Sequence, residues 1–203
     1  MLKICTLSGY EGAGKSHLIT HFQKQHRFNV IPETARLIMP LETNVMRESR
    51  DDLSYKSFIS YLTNIHFMLS NNLQMNVISD RNLVDSLTYL KLYSDDQTIY
   101  NNDVSDFIRR FLDENQREFF YDEMVLITHS KDDKQIEQIL SDPERKYGRS
   151  IEQYKRDSTL WENIYQDIAG ELLQAGLAPS LRIVQAYPDN LDVVTDVEKR
   201  FLS

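Results

Sequence analysis

Two rhythms of apolar residues run along this chain. Short apolar runs, bounded by turn or polar residues, alternate with longer stretches in which apolar positions recur at helical spacing. The short runs predict β-strands at Leu2–Leu7, Phe28–Ile31, Asn76–Ser79, Met124–Thr128 and Leu181–Val184. The longer stretches predict helices. Lys15–Gln25 follows the first strand, and Asp51–Leu73 carries Phe58, Ile59, Leu62, Ile65 and Leu69 on one face. Leu83–Leu92 and Val104–Phe111 are shorter. Ile151–Leu173 is a long pattern with room for a break, and Gly176 is placed to end it. Leu191–Leu202 follows a Pro188-Asp189-Asn190 turn. Strands alternating with helices imply an α/β fold, a doubly wound parallel sheet of five strands flanked by helices. Ligands of such sheets bind at the carboxyl ends of the strands. The segments that matter for chemistry are therefore Gly9–Ser16, Pro32–Arg36, Asp80–Arg81, His129–Ser130 and Ala186–Asn190.

A length of 203 residues suits a single domain, 1–203, with its own hydrophobic core. Hydrophobic residues at 41% and charged residues at 27% exclude a disordered or fibrous chain. No apolar run approaches the ~18–20 residues of a membrane span. The stretch Met1–Leu7 has neither the length nor the cleavage site of a secretion signal. The one cysteine, Cys5, permits no internal disulfide, suits a reducing cytoplasm and reads as strand packing. A cytoplasmic protein with no membrane partner is expected. The net charge of -8 opposes whole-surface attraction to nucleic acid. Glycine is scarce, six in all, and three of them fall between Gly9 and Ser16.

That window, Gly9-Tyr10-Glu11-Gly12-Ala13-Gly14-Lys15-Ser16, fits G-x-x-x-x-G-K-[ST] between a predicted strand and a predicted helix. Gly9, Gly12 and Gly14 let the backbone wrap phosphate oxygens, with Glu11, Ala13 and His17 contributing to the same nucleotide-binding turn. Lys15 carries a positive charge to the β- and γ-phosphates, and the Ser16 hydroxyl suits Mg²⁺. ATP and Mg²⁺ are the expected cofactors. At the end of the third strand, the Asp80 carboxylate is a second Mg²⁺ ligand and Arg81 can stabilise charge on a transferring phosphoryl group. The plainer alternative there is a helix cap followed by a surface arginine. At the end of the second strand, Glu33 is placed to accept a proton from an attacking hydroxyl, with Arg36 one turn along. Arg145–Arg156 holds five basic residues and one acid, a candidate lid within 131–157, with Gly148 as hinge and Arg149 as its phosphate-stabilising arginine. His17 and His21, four residues apart, lack a third metal ligand and read as helix surface. Trp161 reads as an anchor for the helix after the lid.

These residues together resemble the P-loop nucleoside and nucleotide kinases. The phosphate loop is similar to that of thymidylate kinases. Pro32-Glu33-Thr34-Ala35-Arg36, with Asp80-Arg81 and Asp85-Ser86, resembles small kinases that include ribosylnicotinamide kinase. Tyr147-Gly148-Arg149-Ser150-Ile151-Glu152 resembles the R-x-R-x-x-E lid of deoxynucleoside kinases, with Tyr147 in place of the first arginine. The resemblance implies a sheet order of 2-3-1-4-5 and ATP-dependent transfer of the γ-phosphoryl group to a (deoxy)nucleoside or nucleoside monophosphate. It implies catalytic roles for Lys15, Glu33, Asp80, Arg81 and Arg149. It also implies acceptor contacts from Glu33, Arg36, Phe58, Tyr61, Arg81, Asp85 and Glu152, with Tyr89 flanking the base. A homodimer through Asp51–Leu73 would follow by the same analogy. Two other functions fit the residues. One is a kinase acting on a modified base in DNA, suggested by the basic lid and opposed by the net charge. The other is a nucleotide-binding regulatory ATPase without a small-molecule acceptor. His129-Ser130-Lys131-Asp132 is not the Asn-Lys-x-Asp signature of GTPases.

Overall fold

A computed structural model describes residues 3–24, 28–33, 75–93, 122–141, 149–174, 180–185, 194–195 and 197–199. Strand β1 is Ile4–Ser8, β2 is Asn29–Ile31, β3 is Val77–Asp80, β4 is Glu123–Thr128 and β5 is Leu181–Gln185. Helix α1 is Lys15–Lys24, α2 is Leu83–Tyr93, α3 is Asp133–Leu140 and α4 is Ile151–Gln174. The strands form one sheet in the order β2-β3-β1-β4-β5, every pair parallel. This is the α/β fold and strand order expected. No helix among the described residues is long and apolar enough to cross a membrane.

Period-two alternation explains why both sheet faces are covered. Ile4, Val77, Met124 and Leu126 point to one face and join Leu83, Val84 and Leu87 of α2 with Trp161, Tyr165 and Ile168 of α4. Cys5, Leu7, Ile78, Val125 and Ile127 point to the other, against Leu18, Ile19 and Phe22 of α1 and Val194 and Val197 of the terminal helical residues. The strands β1, β3 and β4, buried on both faces, are continuous apolar runs, which is why they were visible in sequence; β2 and β5 are only partly buried.

Helix α4 has no break. Its buried positions Tyr154, Ser158, Trp161, Glu162, Tyr165, Ile168 and Ala169 form one stripe at helical spacing. Its start is set by a capping box: the Gln153 amide donates to Ser150 Oγ (3.2 Å) and the Ser150 amide donates to Gln153 Oε1 (2.9 Å). The segment anticipated as part of a lid thus includes two helices, α3 and the first turns of α4. Helix α3 has a sequence signal that was passed over: Asp132 caps it, accepting from the amides of Lys134 (2.8 Å) and Gln135 (3.1 Å), and Ile136 is buried. The predicted helices Asp51–Leu73 and Val104–Phe111, the Gly176 stop and the Pro188-Asp189-Asn190 turn lie outside the described residues.

Candidate active site

The phosphate loop runs from the end of β1 to the start of α1. Gly9 sits where only hydrogen fits: a Cβ there would come within 2.5 Å of the Ile127 carbonyl oxygen of β4. Gly12 (φ 84°) and Gly14 (φ 88°) take left-handed backbone, turning the loop back on itself. The Ala13 amide closes the turn on the Tyr10 carbonyl at 3.2 Å. Lys15 is buried under this loop, its Nζ donating to the carbonyls of Gly9 (2.5 Å) and Tyr10 (3.2 Å). Burial, and then the nearby Arg81 charge, lower its pKa to about 8, with Asp80, Glu33 and Asp85 pulling the other way. Ser16 and His17 are exposed on the first turn of α1.

The carboxyl ends of β2 and β3 meet beside the loop. Arg81 ends β3 in left-handed backbone (φ 74°), a conformation that costs a non-glycine residue ~1–3 kcal/mol. It is held there by its amide on the Leu7 carbonyl (2.9 Å) and by Ser79 Oγ donating to its own carbonyl (2.7 Å). That turn aims the guanidinium inward. Its Nε lies 2.5 Å from Glu33 Oε1, and one Nη donates to the Tyr89 hydroxyl at 3.0 Å and sits 3.7 Å from Asp85 Oδ1. Burial opposes the Arg81 charge, but Tyr89, Glu33 and Asp85 outweigh it and hold the group protonated above its ordinary range. Arg81 is therefore not a surface arginine, and the cap of α2 is Asn82, not Asp80. Asn82 Oδ1 accepts from the amides of Val84 (2.7 Å) and Asp85 (3.2 Å), while Asp85 Oδ2 accepts from the Asn82 amide (2.9 Å).

Asp85 lies deeper than a residue expected to touch an acceptor. It is 1% exposed and also accepts from Ser8 Oγ at 2.6 Å. Burial raises its pKa to about 6, against the lowering effect of Arg81, Ser8 and Lys15. Behind it runs a buried relay: Asn82 Nδ2 donates to the Tyr165 hydroxyl (3.0 Å), which donates to Ser8 Oγ (2.9 Å). Asn82 Nδ2 also reaches Thr6 Oγ1 at 2.7 Å. The relay ties α4 to the ends of β1 and β3.

On the other flank, Arg149 reaches the phosphate loop. One Nη donates to the Tyr10 hydroxyl at 2.5 Å and lies 3.7 Å from Glu11 Oε2. The Tyr154 hydroxyl donates to the Glu11 carbonyl. His129, at the end of β4, uses its amide (2.6 Å) and Nδ1 (2.8 Å) on Glu162 Oε1. Lys15, Glu33, Asp80, Arg81 and Asp85 thus form one electrostatic cluster, with Glu11 and Arg149 beside it. Glu152 stands apart. It is exposed, and its own amide and the Ser150 hydroxyl hold its carboxyl below the usual range. Arg36, Phe58, Tyr61 and the basic residues Arg145 and Lys146, with Tyr147 and Gly148, lie outside the described residues. His17 and His21 form no metal cluster among the described residues, and His21 Nε2 faces Glu198 at 3.5 Å. Tyr10, Tyr154, Tyr165, Ser8 and Asn82 were not anticipated as parts of the site. Only the Asn-x-x-Asp spacing of a capping box could have pointed to Asn82.

A profile of the family described as AAA domain matches residues 4–175, most of the chain. The chain belongs to the AAA-domain family of P-loop proteins. Comparison with curated protein sequences finds no match. Among solved structures, this AAA-domain chain is similar to deoxyadenosine kinase from M. mycoides with products dCMP and dCDP bound, at 18% identity over 97% of each chain with a TM-score of 0.61. The same enzyme with bound dCTP gives 22% identity over 97% of each chain and a TM-score of 0.59. The NadR protein in complex with NR gives 15% identity and a TM-score of 0.67, with all of this chain spanning 50% of NadR. At such identities the likeness speaks to fold alone. The AAA-domain chain has a P-loop kinase fold resembling that of nucleoside kinases, and a P-loop fold implies nucleotide binding.

Proposed function

We propose that the chain is a kinase that transfers the γ-phosphoryl group of ATP to a nucleoside or nucleoside monophosphate. The observation that carries this reading is the Glu33–Arg81 pair, 2.5 Å apart at the carboxyl ends of β2 and β3 and in the same electrostatic cluster as Lys15. A kinase needs a group to take the acceptor proton and a cation to steady the moving phosphoryl group. In this reading the loop amides and Lys15 hold the donor's β- and γ-phosphates. Glu33 orients the acceptor and, where that is a nucleoside hydroxyl, takes its proton as the acceptor oxygen attacks the γ-phosphorus and the bond to the β-phosphate oxygen breaks; the phosphate oxygen of a monophosphate attacks already ionised. Arg81 and Arg149 offset the charge on the transferring group.

The donor set fits a magnesium ion. Ser16 and Asp80 offer only hard oxygen ligands, and they would be its holders. Carboxylates Glu11, Glu33, Asp80 and Asp85 outnumber the cations Lys15, Arg81 and Arg149 among the described residues, so a polyphosphate needs a cation of its own. When bound, that ion supplies charge neutralisation of the phosphates.

The AAA-domain match favours a second reading, an ATPase without a small-molecule acceptor. One experiment separates them: γ-labelled ATP incubated with a panel of nucleosides, nucleoside monophosphates and DNA carrying hydroxymethylated bases. The expected result is label on a nucleoside or monophosphate, abolished by Lys15→Ala with the fold retained. Label found only in inorganic phosphate would refute the kinase and support the ATPase. Label on DNA alone would move the acceptor to a base within nucleic acid.

A further inference from the structure

The phosphate-loop pattern leaves its second position free, and here it is Tyr10. A side chain at a free position beside a ligand site would ordinarily be exposed. Tyr10 is fully buried, its ring edge-on to Tyr154 (centroids 5.5 Å apart) and tilted against Trp161 (6.2 Å), both on α4. Its phenol accepts a hydrogen bond from Arg149 at 2.5 Å, and its backbone carbonyl accepts from Lys15 Nζ at 3.2 Å. One loop residue therefore touches two cations, one through its main chain and one through its side chain. Arg149 directly precedes the Ser150 cap, so its backbone is anchored at the start of α4. The remaining freedom of a long arginine side chain lies in its rotamers, and the Tyr10 phenol removes much of it.

We infer that Tyr10 is a positioning residue, whose hydroxyl holds the Arg149 guanidinium over the phosphate loop for the terminal phosphate of the nucleotide. The inference rests on the proposed kinase reading, since it gives Arg149 a phosphate to meet. Preorganisation is what makes a cation effective at a phosphoryl group, because a guanidinium already in place loses no freedom on contact. Ring packing alone would leave the hydroxyl dispensable. Positioning makes it dispensable only when Arg149 is already gone.

Trp161 is the single tryptophan of the chain and packs on Tyr10, so its fluorescence is the probe of nucleotide binding at the loop, with calorimetry as the second readout. Titrations of the full chain with ADP and with a non-hydrolysable ATP analogue, in Mg²⁺, give the preference for the terminal phosphate. Wild type is expected to favour the analogue by about tenfold or more, a typical contribution of a hydrogen bond to a charged group. Tyr10→Phe keeps the ring and is expected to lose most of that preference. Arg149→Met is expected to lose at least as much, keeping only the part that Lys15 and Arg81 supply, and the double variant to lose no more than Arg149→Met. An unchanged preference in Tyr10→Phe, or losses that multiply in the double variant, would overturn the positioning role while leaving the kinase reading intact. Wild type binding both nucleotides equally would overturn the inference as well. Wild type binding neither would overturn the kinase reading and the inference with it. Should Tyr10→Phe fail to fold, Arg149→Lys examines the same bond from its other end, since lysine keeps the charge but not the planar fork. It should lose the preference, and retention would overturn the role.

Discussion

In the proposed reading, Lys15 meets nucleotide at a protonation cost that can be measured. In the fold, burial and Arg81 lower its pKa from 10.5 to about 8. Keeping the ammonium charged in that fold therefore costs about 3 kcal/mol relative to the unfolded chain. Between pH 8 and 10.5 the unfolded chain binds more protons at this residue than the folded one, so the protein by itself gains stability as pH rises through that window. Polyphosphate reverses the balance by restoring an opposite charge within reach of Nζ. Nucleotide binding should then take up about 0.1 proton at pH 7, about 0.5 at pH 8 and about 0.9 at pH 9. Affinity should fall about fivefold from pH 8 to 9 and about tenfold from pH 9 to 10. Isothermal calorimetry with ATP at pH 8 and 9, in two buffers of different ionisation enthalpy, reads the proton count directly. ATP's own terminal phosphate is fully ionised at those pH values and contributes little. Lys15→Met should bind more weakly and lose the buffer dependence. Binding heats independent of buffer at pH 9 in the wild type would refute the argument, because they would mean that nucleotide does not change the protonation of Lys15.

Three further outcomes follow from the same geometry. Burial raises Asp85 from 3.8 to about 6, so the folded chain binds more protons between those values. This group should lower stability by about 3 kcal/mol as pH rises through that window, and Asp85→Asn should flatten the slope in urea midpoints taken at pH 4.5 and 6.5. Gly9→Ala would set a Cβ 2.5 Å from the Ile127 carbonyl oxygen, a backbone atom that cannot step aside. It should cost ~1–3 kcal/mol by thermal denaturation and weaken nucleotide binding; unchanged stability would show that β4 yields there. Tyr165→Phe removes the hydroxyl that accepts from Asn82 and donates to Ser8. Leaving those buried groups short of a partner should cost ~1–3 kcal/mol in chemical denaturation, and a loss within error would mean that the relay carries no stability.

What did not show in sequence is helix α3, the continuity of α4, the Arg81 turn and the Tyr10 contacts. Helix α3 is short, and its capping aspartate stands in a polar run that read as lid, so its one buried residue, Ile136, gave little periodicity to find. The unbroken α4 is stabilised by a buried stripe that includes Ser158 and Glu162, polar residues that blur a hydrophobic pattern until their partners are known. Arg81 reads in sequence as a phosphoryl-stabilising group with a surface charge as the plainer alternative, but nothing in Asp-Arg-Asn announces left-handed backbone. That turn exists because strands β1 and β3 pair and the Leu7 carbonyl, 74 residues earlier, takes its amide. Tyr10 gave no signal at all, since the loop pattern constrains its neighbours and leaves it free.

Sequence alone determined the parts whose physics is local. Continuous apolar runs specify strands buried on both faces, and three glycines around a lysine specify a turn that cradles phosphate. Tertiary structure decided which side chains meet across long separations. Glu33 pairs with Arg81, Arg149 with Tyr10, and Tyr165 with Ser8 because a parallel sheet brings the carboxyl ends of β1, β2 and β3 to one edge and α4 packs beside them. Such contacts depend on sheet order and helix placement, and each is one hydrogen bond or ion pair without a repeating spacing to betray it.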